Sequence, residues 1–349
     1  MTATAIHYGF TSLQDLRVDT EVRSENKKKA SVLIEVEGQK MKPTDRFWRS
    51  IFTRYRISDS IFRYYSHQEV FERISSRVKT DSFRYCWQEE KDGAPSLLAI
   101  SNPDRQIVRI DALTDLVQTY SSLKTEYHEG VFTSTHEPRS GEFAYRIGPD
   151  EFKNQYVLKM PVDGFGDPQI YLSLLRLVCA NGAVGYTPQF RSEIRAGKDP
   201  QHAITRALTC FDNAKGYSAM ADRFEAAQAS WASLHETLRV YRQLLKLTFH
   251  DKNLGSDILN RLSEITGRPQ ELYGLANLDA LSEKKQRILP AKCRVYDLIN
   301  FVTEIATHHV DYNQAVRLHG LVGSLLSDDY DLEGSAEQVG EFSDLFLAS

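Results

Sequence analysis

Short apolar stretches separated by turn residues dominate the first half of the chain. Five of them lie at residues 31–36, 97–100, 107–110, 143–147 and 156–160. Short apolar runs bounded by Gly, Pro, Asn and Asp are typical of β-strands. The pattern therefore predicts one early strand, at residues 31–36, and a β-rich domain over residues 81–198.

Helical periodicity replaces this pattern after Gly197. Asp199 precedes Pro200, and a capping carboxylate followed by a proline at the first helical position marks the start of a helix. Further helices are expected over residues 256–267 and over residues 294–310, where apolar positions recur at helical spacing. The fold class that follows is α+β, with a mixed β-rich domain followed by a helical region.

The clearest periodic signal lies inside the helical region. Eight residues are separated alternately by four and three positions: Met220, Phe224, Ala227, Trp231, Leu234, Leu238, Tyr241 and Leu245. This spacing predicts one long heptad-patterned helix that packs against another helix, as in a coiled coil. The unequal sizes of Ala227 and Trp231 favour an antiparallel partner within the same domain, and a second copy of the chain is the alternative.

Composition places the chain among ordinary globular proteins. Of its 349 residues, 41% are hydrophobic and 26% are charged, and its four Cys form no Cys-x-x-Cys motif. Free thiols favour a reducing compartment. Because no apolar run reaches about 18 residues and the N-terminus lacks the features of a signal peptide, we expect a cytoplasmic protein that does not associate with a membrane.

Charge is unevenly distributed along the chain. The formal net charge is −4, yet residues 327–349 contain seven Asp and Glu and no Lys or Arg. An acidic tail on a mildly basic body is typical of proteins whose tail recruits partners or occupies a basic surface. We therefore divide the chain into an N-terminal strand with a basic and aromatic helical segment (1–80), the β-rich domain (81–198), the helical region (199–326) and an acidic tail (327–349).

The opposite charge extreme lies at residues 45–67, where five Arg accompany two Asp and aromatic residues are interleaved. Guanidinium groups hold phosphates while aromatic faces stack on bases, so this mixture suits single-stranded nucleic acid. The candidate contacts are Arg46, Trp48, Arg49, Arg54, Tyr55, Arg56, Arg63 and Tyr64. The alternative is structural. Helical spacing typical of a core-facing stripe, with solvated arginines opposite, is found at Trp48, Ile51, Phe52 and Tyr55.

The sequence motifs of several enzyme classes do not occur. Gly164-Phe165-Gly166 lacks the third glycine of a dinucleotide fingerprint, Gly197-Lys198 lacks the Ser or Thr of a P-loop, and there is no His-Glu-x-x-His or Gly-x-Ser-x-Gly. We therefore expect no cofactor and assign no catalytic residue.

One pair of side chains suggests a metal site. Glu304 and His308 are four residues apart on one helical face, where carboxylate and imidazole could hold zinc or manganese with His309 or Cys179. The alternative is an exposed or locally hydrogen-bonded polar stripe.

Two segments resemble a known family. Residues 175–182 (LRLVCANG) resemble the central Arg-x-x-Cys-x-Asn segment of the "domain of unknown function 932" family of phage- and plasmid-borne proteins, and residues 300–308 (NFVTEIATH) resemble its Asn-x-x-Thr-Glu-x-x-x-His helix. The motif residues here are Arg176, Cys179, Asn181, Asn300, Thr303, Glu304 and His308. The family's link commonly reads Arg-His, whereas Arg195 is followed by Ala196, so a role for that histidine does not carry over.

The resemblance implies an accessory protein of mobile elements with no agreed reaction. Physically, its motif residues form either an inter-domain hydrogen-bond network or a ligand site, since buried polar groups need partners in both cases.

Three functions follow as hypotheses. The first is a single-stranded DNA- or RNA-binding or annealing accessory of phage or plasmid replication and recombination, with the acidic tail recruiting replication or recombination proteins. The second is a non-enzymatic assembly or interaction protein that forms a homo-oligomer through the heptad seam. The third is a metal-dependent enzyme centred on Glu304 and His308.

Overall fold

We describe the fold from a computed structural model, which describes residues 5–21, 31–78, 81–90, 93–120, 122–138, 144–148, 150–176, 181–184, 190–194, 199–211, 213–248, 252–267 and 290–332. The α+β class is confirmed, with strands concentrated in the first part of the chain and helices in the last. The division into four segments stays a prediction.

The described residues belong to two compact units. Unit 1 comprises those within Met1–Ser134, Leu158–Gln169 and Glu193–Cys210, and unit 2 comprises those within Thr135–Val157, Ile170–Ser192 and Phe211–Ser349. The strands are β1 (Ile6–Ser12), β2 (Arg17–Glu21), β3 (Ser31–Val36), β4 (Gln39–Pro43), β5 (Ser82–Glu89), β6 (Pro95–Ser101), β7 (Lys124–His128), β8 (Val131–His136), β9 (Ala144–Ile147), β10 (Asp150–Pro161), β11 (Gln169–Arg176), β12 (Asn181–Val184), β13 (Arg191–Glu193), β14 (Trp231–Ser233) and β15 (Pro290–Arg294). The helices are α1 (Asp45–Tyr55), α2 (His67–Arg77), α3 (Ile110–Thr119), α4 (Pro200–Cys210), α5 (Ala214–Ala229), α6 (Leu234–Thr248), α7 (Lys252–Thr266), α8 (Val295–His308) and α9 (Tyr312–Leu325), with 3-10 turns at Leu13–Asp15 and Asp59–Arg63.

Unit 1 is organised around a six-stranded sheet with the strand order β1-β5-β6-β4-β3-β2. Helix α1 begins where the Thr44 hydroxyl accepts a hydrogen bond from the Phe47 amide at 3.2 Å, which satisfies one of the helix's free amides. Phe47 and Ile51 on α1 are fully buried with β-strand residues such as Leu97. The helix is therefore held on the sheet by its apolar face, and its polar face is left to solvent.

A second sheet has the strand order β12-β11-β10-β8-β7, with β13 paired to β11 and β9 paired to β10. Unit 2 packs its helices into one large apolar core, in which α8 is central. Leu298, Ile299, Val302 and Ile305 on α8 are all fully buried, so this helix is apolar around most of its circumference.

The prediction of one long heptad-patterned helix is wrong. The structure divides the pattern into α5 and α6, with the short strand β14 between them. Strand β14 pairs with β15, and the amide of Val295 donates to the Ser230 carbonyl at 3.0 Å. Trp231, a central member of the seam, is 50% exposed, and the Arg294 guanidinium lies over its ring at 3.7 Å.

A capping interaction explains the break. The buried Glu236 carboxylate accepts hydrogen bonds from the Ser233 amide (2.7 Å) and hydroxyl (2.5 Å) and from the Tyr330 hydroxyl (2.8 Å). Ser-x-x-Glu is the sequence signature of a helix start. Ser233 and Glu236 lie among residues whose apolar spacing continues without interruption. The heptad pattern therefore predicted a continuous helix although a helix start is also encoded there.

Several other sequence-based boundaries can be compared with the structure. Strand β3 has the predicted bounds, whereas the strand predicted at residues 107–110 is wrong because Ile110 begins α3. Helix α4 begins at Pro200 as predicted, with the His202 amide donating to the Asp199 carboxylate at 2.9 Å. Helix α7 begins at Lys252, before the predicted start at Ser256.

None of the helices in the described part of the chain has the length and apolar character that crossing a membrane requires.

The capping role of Glu236 can be tested by substitution. We expect Glu236→Ala to lower the free energy of unfolding by about 2–3 kcal/mol, because three buried donors lose their acceptor. The exposed Glu225 on α5 is the matched control, and Glu225→Ala should change stability by less than about 0.5 kcal/mol. Equal effects of the two substitutions in urea denaturation would contradict the capping role.

Candidate functional site

A basic cleft of unit 1 lies between the end of α1, the following 3-10 turn and α2, and its volume is about 680 Å³. We call it the arginine–tyrosine cleft. Its polar lining consists of Arg54, Tyr55, Arg56, Tyr65, Arg73, Arg77, Asp81 and Asn102. Its apolar lining consists of Ile57, Ile61, Val70, Ile74 and Val78. Among the described residues, four guanidinium groups thus share the cleft with a single carboxylate.

The end of α1 places Arg56 at the rim of the cleft. Arg56 has a left-handed backbone conformation, with φ of 52°, and its amide donates to the Phe52 carbonyl. The amide of Ile57 donates to the same carbonyl at 3.1 Å, which ends the helix. Glycine is the usual residue at such a position, because a side chain there costs about 1 kcal/mol. The Arg56 side chain is exposed.

Asp81 fixes Arg54 and Tyr55 at the end of the cleft. Arg54 donates two hydrogen bonds to the Asp81 carboxylate, one of them from Nε to Oδ2 at 3.0 Å, and the Tyr55 hydroxyl donates to Oδ2 at 2.7 Å. The hydrogen bonds from Arg54 hold the pKa of Asp81 below its usual range. Burial and the hydrogen bond to Asp81 raise the pKa of Tyr55, so its hydroxyl stays protonated. Arg54 is therefore an anchored, charge-balanced part of the lining.

Helix α2 supplies the two cations that the sequence analysis missed. The helix starts with a capping box in which the Ser66 hydroxyl accepts from the Glu69 amide and the Glu69 carboxylate accepts from the Ser66 amide. Arg73 and Arg77 are four residues apart and project from one face of the helix. The Arg73 guanidinium lies 4.6 Å from the centre of the Tyr65 ring. The sequence feature that could have identified them is their four-residue spacing, shortly after the basic and aromatic segment at residues 45–67.

The predicted contact Arg46 lies on a buried carboxylate and does not line the cleft. Its Nε and Nη2 atoms donate to the two oxygens of Asp163 at 2.7 and 2.9 Å, and Nη2 also donates to the Phe165 carbonyl at 2.6 Å. The Asp163 side chain is fully buried. Breaking such a pair would leave a buried charge, so these contacts give Arg46 a structural role.

The remaining predicted contacts divide between the core and the surface. Trp48 packs against the rings of Phe47, Phe62 and His67 at 5.3, 5.4 and 4.9 Å, as the structural alternative predicted. Arg49, Arg63 and Tyr64 are exposed, and the exposed fraction of Tyr64 is 81%. The predicted contacts therefore do not form one continuous exposed surface, and of this set Arg54, Tyr55 and Arg56 line the cleft.

In unit 2, hydrogen bonds connect the motif residues Arg176 and Asn300 through Asp150 and Tyr296, which are not part of the motif. Arg176 donates from Nη2 to Asp150 Oδ1 at 2.6 Å, and the Tyr296 hydroxyl donates to Asp150 Oδ2 at 2.5 Å. The side chain of Asn300 hydrogen-bonds to Tyr296. The sequence analysis missed Asp150 and Tyr296, because nothing in their local sequence marks them as partners of a distant arginine.

The other motif residues lie elsewhere. Glu304 accepts from Arg261 at 2.9 Å, Thr303 is buried and donates to the Asn300 carbonyl at 3.0 Å, and His308 is exposed at the end of α8. Cys179 lies outside the described residues, as does the side chain of Asn181, whose backbone pairs with Arg176. Among the described residues no three His, Cys, Asp or Glu side chains are arranged to hold a metal ion.

Comparison with known proteins gives no match to any family model, curated protein or solved structure. The resemblance to the "domain of unknown function 932" family stays a prediction based on the two motifs.

The pKa of Lys159 tests whether this lysine is buried close to Arg46 and Arg49. Burial, with these two arginines beside it, lowers the pKa of Lys159 to about 8. Between pH 8 and the ordinary lysine pKa of about 10.4, the folded state therefore binds fewer protons than the unfolded state, and the free energy of unfolding rises with pH.

We expect Lys159→Met to be more stable than the unsubstituted protein at pH 7, by on the order of 2–3 kcal/mol. This difference should shrink as the pH rises from about 8 to about 10.4. Urea denaturation across this range measures it, with Lys42→Met at an exposed position of β4 as the control. A difference that is independent of pH for Lys159→Met would contradict the lowered pKa.

Proposed function

We propose that the protein binds single-stranded nucleic acid through the arginine–tyrosine cleft, as an accessory factor of phage or plasmid replication and recombination. The observation that carries this proposal is the cleft itself, which combines four guanidiniums, two tyrosine rings and an apolar floor in one open space.

The charge of the cleft suits a phosphate backbone. Asp81 balances Arg54, so Arg56, Arg73 and Arg77 supply the excess positive charge. All three side chains are exposed, and none of them forms an ion pair among the described residues. Each guanidinium that neutralises a phosphate releases a counterion, which favours binding at low salt.

The rings of the cleft suit unpaired bases. Tyr65 is 40% exposed and its neighbour Tyr64 is 81% exposed, which is unusual for large aromatic side chains. The Arg73 guanidinium already lies over the Tyr65 ring, so a base stacked on the other face would meet a pre-ordered platform. Stacking of this kind needs a base that is free of its duplex, which favours a single strand over double-stranded DNA.

Nucleic-acid binding is preferred to assembly for a structural reason. The assembly hypothesis depended on a continuous heptad helix, which the break between α5 and α6 removes. Of the acidic tail, Asp328, Asp329 and Asp331 are described, and residues 333–349 lie outside the described residues, so recruitment of partners by the tail stays a prediction.

Substitution of the α2 arginines tests the proposal. We expect Arg73→Gln/Arg77→Gln to weaken binding of a labelled oligothymidylate of about 16 nucleotides. The slope of log affinity against log salt between about 50 and 200 mM should fall by about 1.4, because each phosphate contact on a single strand contributes about 0.7. Fluorescence anisotropy measures both quantities.

A matched control removes the same charge elsewhere. Arg109→Gln/Lys42→Gln lies on exposed positions of unit 1 outside the cleft and should leave the salt slope unchanged. Tyr65→Ala should weaken binding by about 1–3 kcal/mol without changing the salt slope, since a ring contributes stacking and not charge. Equal loss of binding in the control and in the α2 variant would overturn the cleft as the binding site.

The backbone of Arg56 gives a second, independent prediction. Arg56→Gly should raise the free energy of unfolding by up to about 1 kcal/mol, because glycine adopts the left-handed conformation without strain. The same substitution should weaken oligonucleotide binding, because one phosphate contact is lost. Thermal denaturation and anisotropy on the same sample separate the two effects, and a more stable variant with unchanged affinity would exclude Arg56 from the interface.

A further inference from the structure

A second basic groove lies in unit 2, between α6 and α9, with a volume of about 580 Å³. We call it the α6–α9 groove. Helix α6 contributes Arg239, Arg242 and Lys246 to it, and α9 contributes Arg317, Gly320 and Ser324. The described residues that line it include four cationic side chains and no Asp or Glu.

The helical period explains why these side chains meet. Arg239, Arg242 and Lys246 are spaced i, i+3 and i+7, so they form one stripe along α6. Leu238 and Leu244 on the other side of α6 are fully buried. The apolar side of the helix is therefore held in the core, which points its cationic stripe outward.

Helix α9 presents a matching stripe. Arg317, Gly320 and Ser324 are also spaced i, i+3 and i+7 and face the same groove. Apart from its chain neighbours and the backbone of its own helix, a Cβ atom added at Gly320 would meet no atom of the described residues within 4 Å, so the groove is open at this point. Glycine inside a helix costs about 1 kcal/mol relative to alanine, and no packing contact at Gly320 requires it.

Arg239 is held in position before any ligand arrives. Its Nη2 donates to the Ser324 hydroxyl at 3.0 Å, and its guanidinium lies 5.5 Å from the centre of the Tyr330 ring. Tyr330 is itself buried and donates its hydroxyl to Glu236. A cation ordered in this way loses less side-chain entropy on binding than a free one.

The groove differs from an ordinary solvated surface in its charge pattern. Surfaces that serve only solubility intersperse both signs of charge, whereas the described residues that line this groove include four cations and no carboxylate. Like charges brought together in a cleft repel one another and raise the local concentration of anions. An anionic ligand would remove this repulsion.

We infer that the α6–α9 groove binds the phosphodiester backbone of nucleic acid without contact to the bases. No aromatic residue of the described chain lines the groove, so it offers phosphate contacts but no stacking surface. From Arg239 to Lys246 the cationic stripe extends about 10 Å along the helix axis, so it can reach more than one successive phosphate of a strand. This inference stands without the arginine–tyrosine cleft and adds a second site to it.

An oligonucleotide without bases separates the two sites. The full-length protein is titrated with a labelled abasic phosphodiester chain of about 16 units and, in parallel, with oligothymidylate of the same length. We expect Arg242→Gln/Arg317→Gln to weaken binding of the abasic chain about tenfold and to lower its salt slope by about 1.4. Arg73→Gln/Arg77→Gln should retain most of the affinity for the abasic chain, because it leaves the four cations of the α6–α9 groove in place.

Two further variants control for charge and for folding. Lys215→Gln/Lys292→Gln removes two exposed charges from unit 2 outside the groove and should bind the abasic chain like the unsubstituted protein. Gly320→Phe leaves every charge in place and fills the open wall, so it should weaken abasic binding about as much as the arginine variant. Circular dichroism checks that each variant is folded.

Three outcomes would overturn the inference. The first is that the abasic chain does not bind to the unsubstituted protein, and the second is that it binds all variants equally. The third is that pyrophosphate binding depends on Arg242 and Arg317, whereas abasic-chain binding does not. The last outcome would assign the groove to a compact phosphate compound. Because oligothymidylate binding by the α2 variant is measured separately, failure of the cleft and failure of the groove are distinguishable.

Discussion

A carboxylate removed from water needs hydrogen-bond donors, and at three carboxylates of this protein the donors include arginine or tyrosine side chains. Asp163 binds Arg46, Asp81 binds Arg54 and Tyr55, and Asp150 binds Arg176 and Tyr296. Each carboxylate thereby obtains the hydrogen bonds that its burial requires, and the arginine that donates them is held by this contact. Among the described residues, Arg73 and Arg242 form no such pair, and both are exposed.

Glu236 applies the same constraint to the architecture of unit 2. Its carboxylate accepts two hydrogen bonds from Ser233 at the end of β14, where α6 begins. It also fixes Tyr330, whose ring lies beside the Arg239 guanidinium. One buried capping residue thus breaks the apparent heptad helix and supports the wall of the α6–α9 groove. Helix capping and the arrangement of surface charge are coupled through a single side chain.

Local patterns identified elements well where one signal acted alone. The Asp199-Pro200 start of α4 and the bounds of β3 followed from capping and from apolar runs. The same reasoning failed at Ser233, where a capping signature lay inside an apolar period, because spacing alone does not rank two signals that apply to the same residues. Of the residues that line the arginine–tyrosine cleft, the basic and aromatic segment at 45–67 contains Arg54, Tyr55 and Arg56, whereas Arg73 and Arg77 lie on the next helix.

The sequence by itself determined the α+β class, the helix that carries Trp48 and the presence of an arginine-rich segment, because these depend on composition and on periods of a few residues. Only the tertiary structure decided which arginines are exposed. Arg46 and Asp163 are 117 positions apart in the chain, as Arg239 and Ser324 are 85 positions apart. No local pattern encodes such pairs, since they exist only when packing of the apolar faces brings distant segments within hydrogen-bond distance.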